Sequence, residues 1–160
     1  GIPSGKDLLH EFLAYLEDCY LIRTVTLHAQ SAKRRMVNPR KVYPIDPGLI
    51  SLFAGSGVDT TKAALETSIL LELERRGYEV GYFRTSEGES VDFLATAKLL
   101  IEVTPQVSDE TLRVLQAARR EARPDACFLI TLDSAPPPKG VPDGIDWYSA
   151  AHWLLEPDAN

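Results

Sequence analysis

The alternation of hydrophobic and polar residues along this chain predicts a mixed α/β protein. Apolar residues recur every three or four positions over residues 4–20, which predicts an amphipathic helix with Ser4 as its N-cap. The same spacing over residues 59–76 predicts the strongest helix of the chain, which Gly77 ends. Its apolar stripe consists of Ala64, Leu65, Ile69, Leu70 and Leu73.

Short runs of β-branched and other apolar residues predict the strands. They lie at residues 21–28, 41–45, 78–84, 90–95, 98–103, 126–132 and 145–149. A helix capped by Ser108 and ending before Pro124 precedes the run at 126–132. A right-handed crossover through that helix would place this run parallel to the strand at 98–103. The sequence therefore predicts a small α/β sandwich with a mixed sheet.

The first third of the chain has a different organisation. A helix, a strand, a polar and basic connection and a second strand follow one another before a short helix in residues 46–55. This order is typical of the last part of a winged-helix unit, whose two earlier helices the sequence lacks. We therefore expect a partial winged-helix-like segment over residues 1–54 and an α/β domain over residues 55–160.

The composition is that of an ordinary globular protein. Of 160 residues, 44% are hydrophobic and 25% are charged. The net charge of −6 argues against nucleic-acid binding by the whole surface but permits a local basic patch. No apolar run reaches the length of a membrane span, so we expect no membrane partner. Cys19 and Cys127 are the only cysteines and are expected to be buried, reduced thiols of a cytoplasmic protein.

A basic segment over residues 33–41 is a candidate nucleic-acid contact. Its five basic residues are Lys33, Arg34, Arg35, Arg40 and Lys41. As the wing of a winged helix, the segment would touch DNA phosphates without reading sequence. A solvated loop and a contact with a partner domain are the alternatives, because the preceding helix carries acidic residues that disfavour a major-groove position.

Three carboxylates form the candidate catalytic and metal site. Asp92 and Glu102 lie in consecutive predicted strands that a tight connection would make neighbours, and Glu66 lies in the helix that must pack on their sheet. Converging carboxylates provide the hard oxygen ligands that suit Mg²⁺ or Mn²⁺. Acids in such apolar strands require a partner, which is a metal, a basic side chain or a backbone amide. Simple solvated acids of a hairpin remain the alternative.

Several spaced motifs carry a family resemblance. They are Lys41, Tyr43, Asp46, Gly48 and Leu49, then Glu66, then Ser90-Val91-Asp92-Phe93, and Ile101-Glu102-Val103-Thr104. In this order they resemble the C-terminal domain of a prokaryotic group of AAA+ ATPases, over roughly residues 4–155. The resemblance implies a winged-helix-like segment followed by a PD-(D/E)xK nuclease-like domain. The expected fold is thus a restriction-endonuclease-like mixed sheet flanked by helices, with Glu66, Asp92 and Glu102 as its catalytic and metal-binding residues.

Two positions depart from the family's pattern. Ser90 replaces a glutamate, and Thr104 replaces the lysine that is thought to orient the attacking water. Loss of such a positioned charge typically lowers the rate by about 10²–10³-fold. Lys98 is a poor substitute, because it lies about 20 Å from position 104 along the strand.

These observations leave three functions open. The first is an accessory domain that binds DNA or a partner protein without robust hydrolysis. The second is an active Mg²⁺-dependent DNA endonuclease, and the third is a structural assembly module of the ATPase. The sequence GIPSGKD does not match a phosphate-binding loop, and we expect no nucleotide site in this chain. The resemblance places the ATPase module upstream in the same polypeptide, as its partner.

Overall fold

The computed structural model describes residues 5–29, 31–96, 98–132 and 140–156. Within them the chain forms an α/β fold with six helices and seven strands. The helices are α1 Gly5–Asp18, α2 Ala32–Val37, α3 Gly48–Phe53, α4 Thr61–Arg75, α5 Asp109–Ala122 and α6 Ala150–Leu155. The strands are β1 Ile22–Val25, β2 Lys41–Pro44, β3 Val80–Arg84, β4 Ser90–Ala95, β5 Leu99–Thr104, β6 Ala126–Thr131 and β7 Asp146–Ser149.

The main sheet has five strands among the described residues, in the order β3-β4-β5-β6-β7. Strands β3, β4 and β5 are antiparallel neighbours, whereas β5, β6 and β7 run parallel. The sheet is therefore mixed, and the prediction that the strand after α5 runs parallel to β5 is confirmed. Ser108 begins α5 as predicted, because its hydroxyl accepts the Thr111 N–H.

Helices cover both faces of this sheet. One face packs against α4 and α6, and the other packs against α5. Leu65, Ile69, Leu70 and Leu73 of the predicted α4 stripe are buried, whereas Ala64 is half-buried. Gly77 adopts a positive φ of 81° just after α4, a conformation that glycine tolerates at a helix end.

The N-terminal third contributes to the same core. Strands β1 and β2 form an antiparallel pair, and Leu27 bridges in parallel to Tyr82 of β3. Val25, Leu27 and Tyr43 are buried in the cluster that includes the α4 leucines. The division of the chain into residues 1–54 and 55–160 stays a prediction.

Two features of this N-terminal third differ from the sequence-based expectation. The basic connection contains a short helix, α2, because Ser31 caps it and Ala32 to Arg35 are good helix formers. Cys19 is exposed rather than buried, whereas Cys127 is buried, and both thiols are free. The apolar side chains Leu9, Phe12 and Leu16 of α1 are also exposed. The predicted cap Ser4 lies outside the described residues.

Among the described residues, no helix combines the length and the apolar character that a bilayer crossing requires.

Candidate functional site

The site begins where the backbone pairing of β4 and β5 ends. The antiparallel ladder joins Phe93, Leu94 and Ala95 of β4 to β5, and Asp92 lies just beyond it. There the Asp92 N–H donates to Glu102 Oε2 at 3.3 Å, and the Val103 N–H donates to Asp92 Oδ2 at 3.1 Å. The two side chains thus replace ladder bonds, so that each strand's carboxylate accepts from the other strand's backbone. Asp92 and Glu102 are only 4% and 9% exposed.

Glu66 joins them from α4. The Tyr43 hydroxyl of β2 donates to Glu66 Oε2 at 2.9 Å. Tyr43 also packs on Phe93, with ring centroids 5.8 Å apart. The hydrogen bond and the ring contact together fix Glu66 above the end of β4. The structure therefore brings together the three carboxylates that the sequence singled out.

Two lysines offset part of the charge of these three carboxylates. Lys41 Nζ donates to Asp92 Oδ1 at 2.8 Å and lies 3.9 Å from Glu66 Oε2. Lys62 Nζ lies 3.5 Å from Glu66 Oε1, 3.7 Å from Asp92 Oδ2 and 3.8 Å from Glu102 Oε1. The Lys62 ammonium therefore lies at the point where all three carboxylates meet. We define these five side chains, Lys41, Lys62, Glu66, Asp92 and Glu102, as the carboxylate–lysine cluster.

Position 104 supplies neither charge nor a free hydroxyl to the cluster. Thr104 is buried, and its hydroxyl donates to the Gln106 carbonyl at 2.6 Å. The ammonium that lies near all three carboxylates comes from α4, through Lys62.

The protonation of the cluster reflects its burial. Burial, followed by the charge of Asp92, raises the pKa of Glu102 to about 8, against the opposing effects of Lys62 and Lys41. Burial and the charge of Asp92 also raise the pKa of Glu66. For Lys62, burial lowers the pKa, but the three carboxylates outweigh it and the net shift is upward. Burial and mutual repulsion of the carboxylates therefore favour protonation of Glu102 and Glu66.

The oxygens of the cluster are of the type that divalent cations prefer, although they surround an ammonium here. Carboxylate oxygens are the preferred ligands of Mg²⁺ and Mn²⁺, and here a protein ammonium already stands in for a cation between them. Within the described residues, no group of three or more His, Cys, Asp and Glu side chains is arranged to hold a metal ion. Because Mg²⁺ needs oxygens at about 2.1 Å, the three carboxylates would have to close in as Lys62 leaves.

An open cleft of about 770 Å³ borders the cluster. Lys41, Lys62, Glu66 and Asp92 line this cleft, and Ser90 lines it as well. A ligand in the cleft would therefore meet both lysines and two of the carboxylates.

The predicted basic residues divide into two groups. Lys33, Arg34 and Arg35 lie exposed on α2, and Arg40 is exposed in the segment that precedes β2. Arg35 also donates to the Ala29 carbonyl. Lys41 instead belongs to the carboxylate–lysine cluster, and its contact with nucleic acid stays a prediction.

Sequence reasoning missed Lys62 as a member of the site. It precedes Glu66 by four residues, a spacing that places two side chains on one face of a helix. That spacing could have identified Lys62, because a lysine four residues before Glu66 lies next to it on the helix surface.

Comparison of the chain with protein-family models, with curated proteins and with solved structures gave no match.

Proposed function

We propose that this chain is the nuclease-like accessory domain of an AAA+ ATPase, and that it binds a divalent cation and DNA phosphates without robust hydrolysis. Glu66, Asp92 and Glu102 would hold Mg²⁺ or Mn²⁺, which would neutralise phosphodiester charge in the neighbouring cleft. One observation carries the proposal. The carboxylates of Glu66, Asp92 and Glu102, from α4, β4 and β5, converge on the Lys62 ammonium beside an open cleft.

The burial of these acids supports a functional reason for them. Asp92 and Glu102 are nearly buried beside apolar side chains, whereas simple acids of a hairpin are solvated. Buried carboxylates cost free energy unless they are paired, and clusters with shifted pKa values are frequent at functional sites.

The arrangement of the sheet supports the finer fold proposal. Antiparallel β3, β4 and β5 carry two of the acids, parallel β6 and β7 extend the sheet, and α4 and α5 lie on opposite faces. We propose that this is a restriction-endonuclease-like core, and that α1, β1, α2 and β2 are part of a winged-helix unit.

Weak or absent hydrolysis follows from position 104. The Thr104 hydroxyl is occupied by the Gln106 carbonyl, so it has no donor left to orient an attacking water. Position 104 also carries no charge. The rate of hydrolysis should therefore fall by about 10²–10³-fold, as it does when one positioned hydrogen-bond donor is lost.

An active Mg²⁺-dependent endonuclease is the second candidate function. The observation that favours it is Lys62, whose ammonium reaches the carboxylates from α4. If Lys62 stabilises the charge of the transition state in place of a lysine at position 104, the threonine there would not lower the rate of hydrolysis.

DNA binding and cleavage separate the candidates. We expect branched or single-stranded DNA to bind more tightly with Mg²⁺ than without it, and Asp92→Asn to remove that difference. Incubation with Mg²⁺ or Mn²⁺ should leave the DNA intact. Nicking that Asp92→Asn abolishes would establish the endonuclease. Absence of DNA binding, together with association with the upstream ATPase segment, would instead establish an assembly module.

The exposed basic residues of α2 give a separate prediction about DNA affinity. We expect Lys33→Ala/Arg34→Ala to weaken binding and to reduce the slope of log affinity against log salt by about 2, because each phosphate contact contributes about 0.9. Fluorescence anisotropy over a salt series measures both quantities. Arg75→Ala/Arg113→Ala, at exposed positions on α4 and α5, is the matched control. Equal losses in the two variants would exclude α2 as a specific DNA contact.

A further inference from the structure

Lys62 and Lys41 are held by the cluster in different ways. Lys41 is 28% exposed and makes a hydrogen bond of 2.8 Å to a single carboxylate, that of Asp92. The Lys62 side chain is 50% exposed and lies between three carboxylates at 3.5 to 3.8 Å. Lys41 is therefore fixed at the side of the cluster, whereas Lys62 fills its centre through longer and more evenly shared contacts.

The surroundings of Lys62 allow it to leave. It is the second residue of α4, and its neighbour Ala63 is exposed. Lys62 also lines the open cleft beside the cluster. The flexible stem of lysine can swing the ammonium into this cleft without moving the helix.

We propose that Lys62 is a built-in counter-ion that a divalent cation must displace in order to reach Glu66, Asp92 and Glu102. The displaced ammonium then lies in the cleft, where it can pair with an anionic ligand such as a phosphodiester. This inference rests on the proposed metal site and deepens it. Lys62 sets the cation affinity of the cluster and couples cation binding to anion binding.

The displacement has a chemical logic. In the metal-free cluster Lys62 offsets part of the charge of the carboxylates, and a divalent cation has to compete with it. Once the cation binds, it supplies the positive charge beside the carboxylates. The displaced Lys62 ammonium is then unpaired and can form an ion pair with an anion in the cleft. Cation and anion should therefore each strengthen the binding of the other.

Calorimetric titration with Mn²⁺ tests the competition. We expect Lys62→Met to bind Mn²⁺ up to about fivefold more tightly than the wild type, which corresponds to the removal of one competing, half-exposed ion pair. Lys62→Arg keeps the competing charge and should bind no more tightly than the wild type. Lys41→Met is the matched control, because it removes the same charge from the side of the cluster and should strengthen binding less than Lys62→Met.

Amine labelling supplies a readout that does not depend on affinity. We expect Mn²⁺ to increase the rate at which acetic anhydride modifies Lys62, measured by mass spectrometry relative to Lys98. Asp92→Asn should abolish this increase. The same labelling increase should appear with Mg²⁺, because the displacement depends on charge.

Mn²⁺ binding by the wild type and by Lys62→Met distinguishes an error about Lys62 from an error about the metal site. If the wild type binds Mn²⁺ but Lys62→Met binds no more tightly and Lys62 labelling stays constant, Lys62 is not the displaced counter-ion. If neither the wild type nor Lys62→Met binds Mn²⁺, the metal site itself is wrong and the inference is lost with it.

Discussion

Replacing Glu102 by glutamine should remove much of the loss of folding stability that we expect for the wild type as pH rises from 4.5 to about 8. The folded pKa of Glu102 is raised above its ordinary value of 4.5, chiefly by burial. In this window the folded state therefore holds a proton that the unfolded state has released, and stability falls as pH rises. Each unit of pKa difference corresponds to about 1.4 kcal/mol, so near the upper limit the variant should be more stable by roughly 2–4 kcal/mol.

Urea unfolding near the two ends of that window measures the effect. Glutamine keeps an oxygen that can accept the Asp92 N–H, so the backbone contact survives the substitution. Glu79→Gln, at an exposed carboxylate, is the matched control and should leave the pH dependence of the wild type unchanged. An equal pH dependence in the wild type and in Glu102→Gln would show that Glu102 carries no proton in the folded state.

Phe93→Ala should give the largest loss of stability, about 3–5 kcal/mol in the free energy of unfolding. Phe93 is fully buried and packs on Tyr43, which holds Glu66 in place. Its truncation would leave a cavity beneath the carboxylate–lysine cluster, so cation binding should weaken as well.

An exposed phenylalanine on α3 is the control for this prediction. Phe53 is 86% exposed, and Phe53→Ala should change the free energy of unfolding by less than about 0.5 kcal/mol. Urea denaturation of the two variants compares the same chemical change in the core and at the surface. Similar losses in both would contradict the assignment of Phe93 to the core.

The pairing of the strand that carries Asp92 with the strand that carries Glu102 could be predicted from the sequence. A tight connection between two apolar runs makes them antiparallel neighbours, and this local rule is sufficient to bring Asp92 and Glu102 together. Helix α4 was likewise predictable, because a long apolar stripe with a terminal glycine has few other solutions.

The partners of the carboxylates could not be placed in this way. Lys41 and Tyr43 reach the cluster because β2 passes over the end of β4, a contact between segments about 50 residues apart. The position of Lys62 depends on the rotation of α4 about its axis against the sheet. No local spacing specifies that rotation, although the interval of four residues to Glu66 was compatible with it.

The exposure of α1 shows a different limit of sequence patterns. An apolar stripe predicts a helix that packs on something, but it does not identify what covers the stripe. In the described residues of α1, Leu9, Phe12 and Leu16 remain exposed. The expectation of a buried Cys19 was wrong for the same reason, because an apolar neighbourhood in sequence was taken as burial in the fold.

A Mn²⁺ titration of the wild type and of Asp92→Asn near pH 8 tests most directly whether Glu66, Asp92 and Glu102 form a cation site. We expect the wild type to bind one ion per chain, to release protons as it does so, and to unfold at a higher temperature with Mn²⁺ present. Asp92→Asn should show none of these effects. Absence of binding to the wild type, or equal binding by both proteins, would contradict the proposed site.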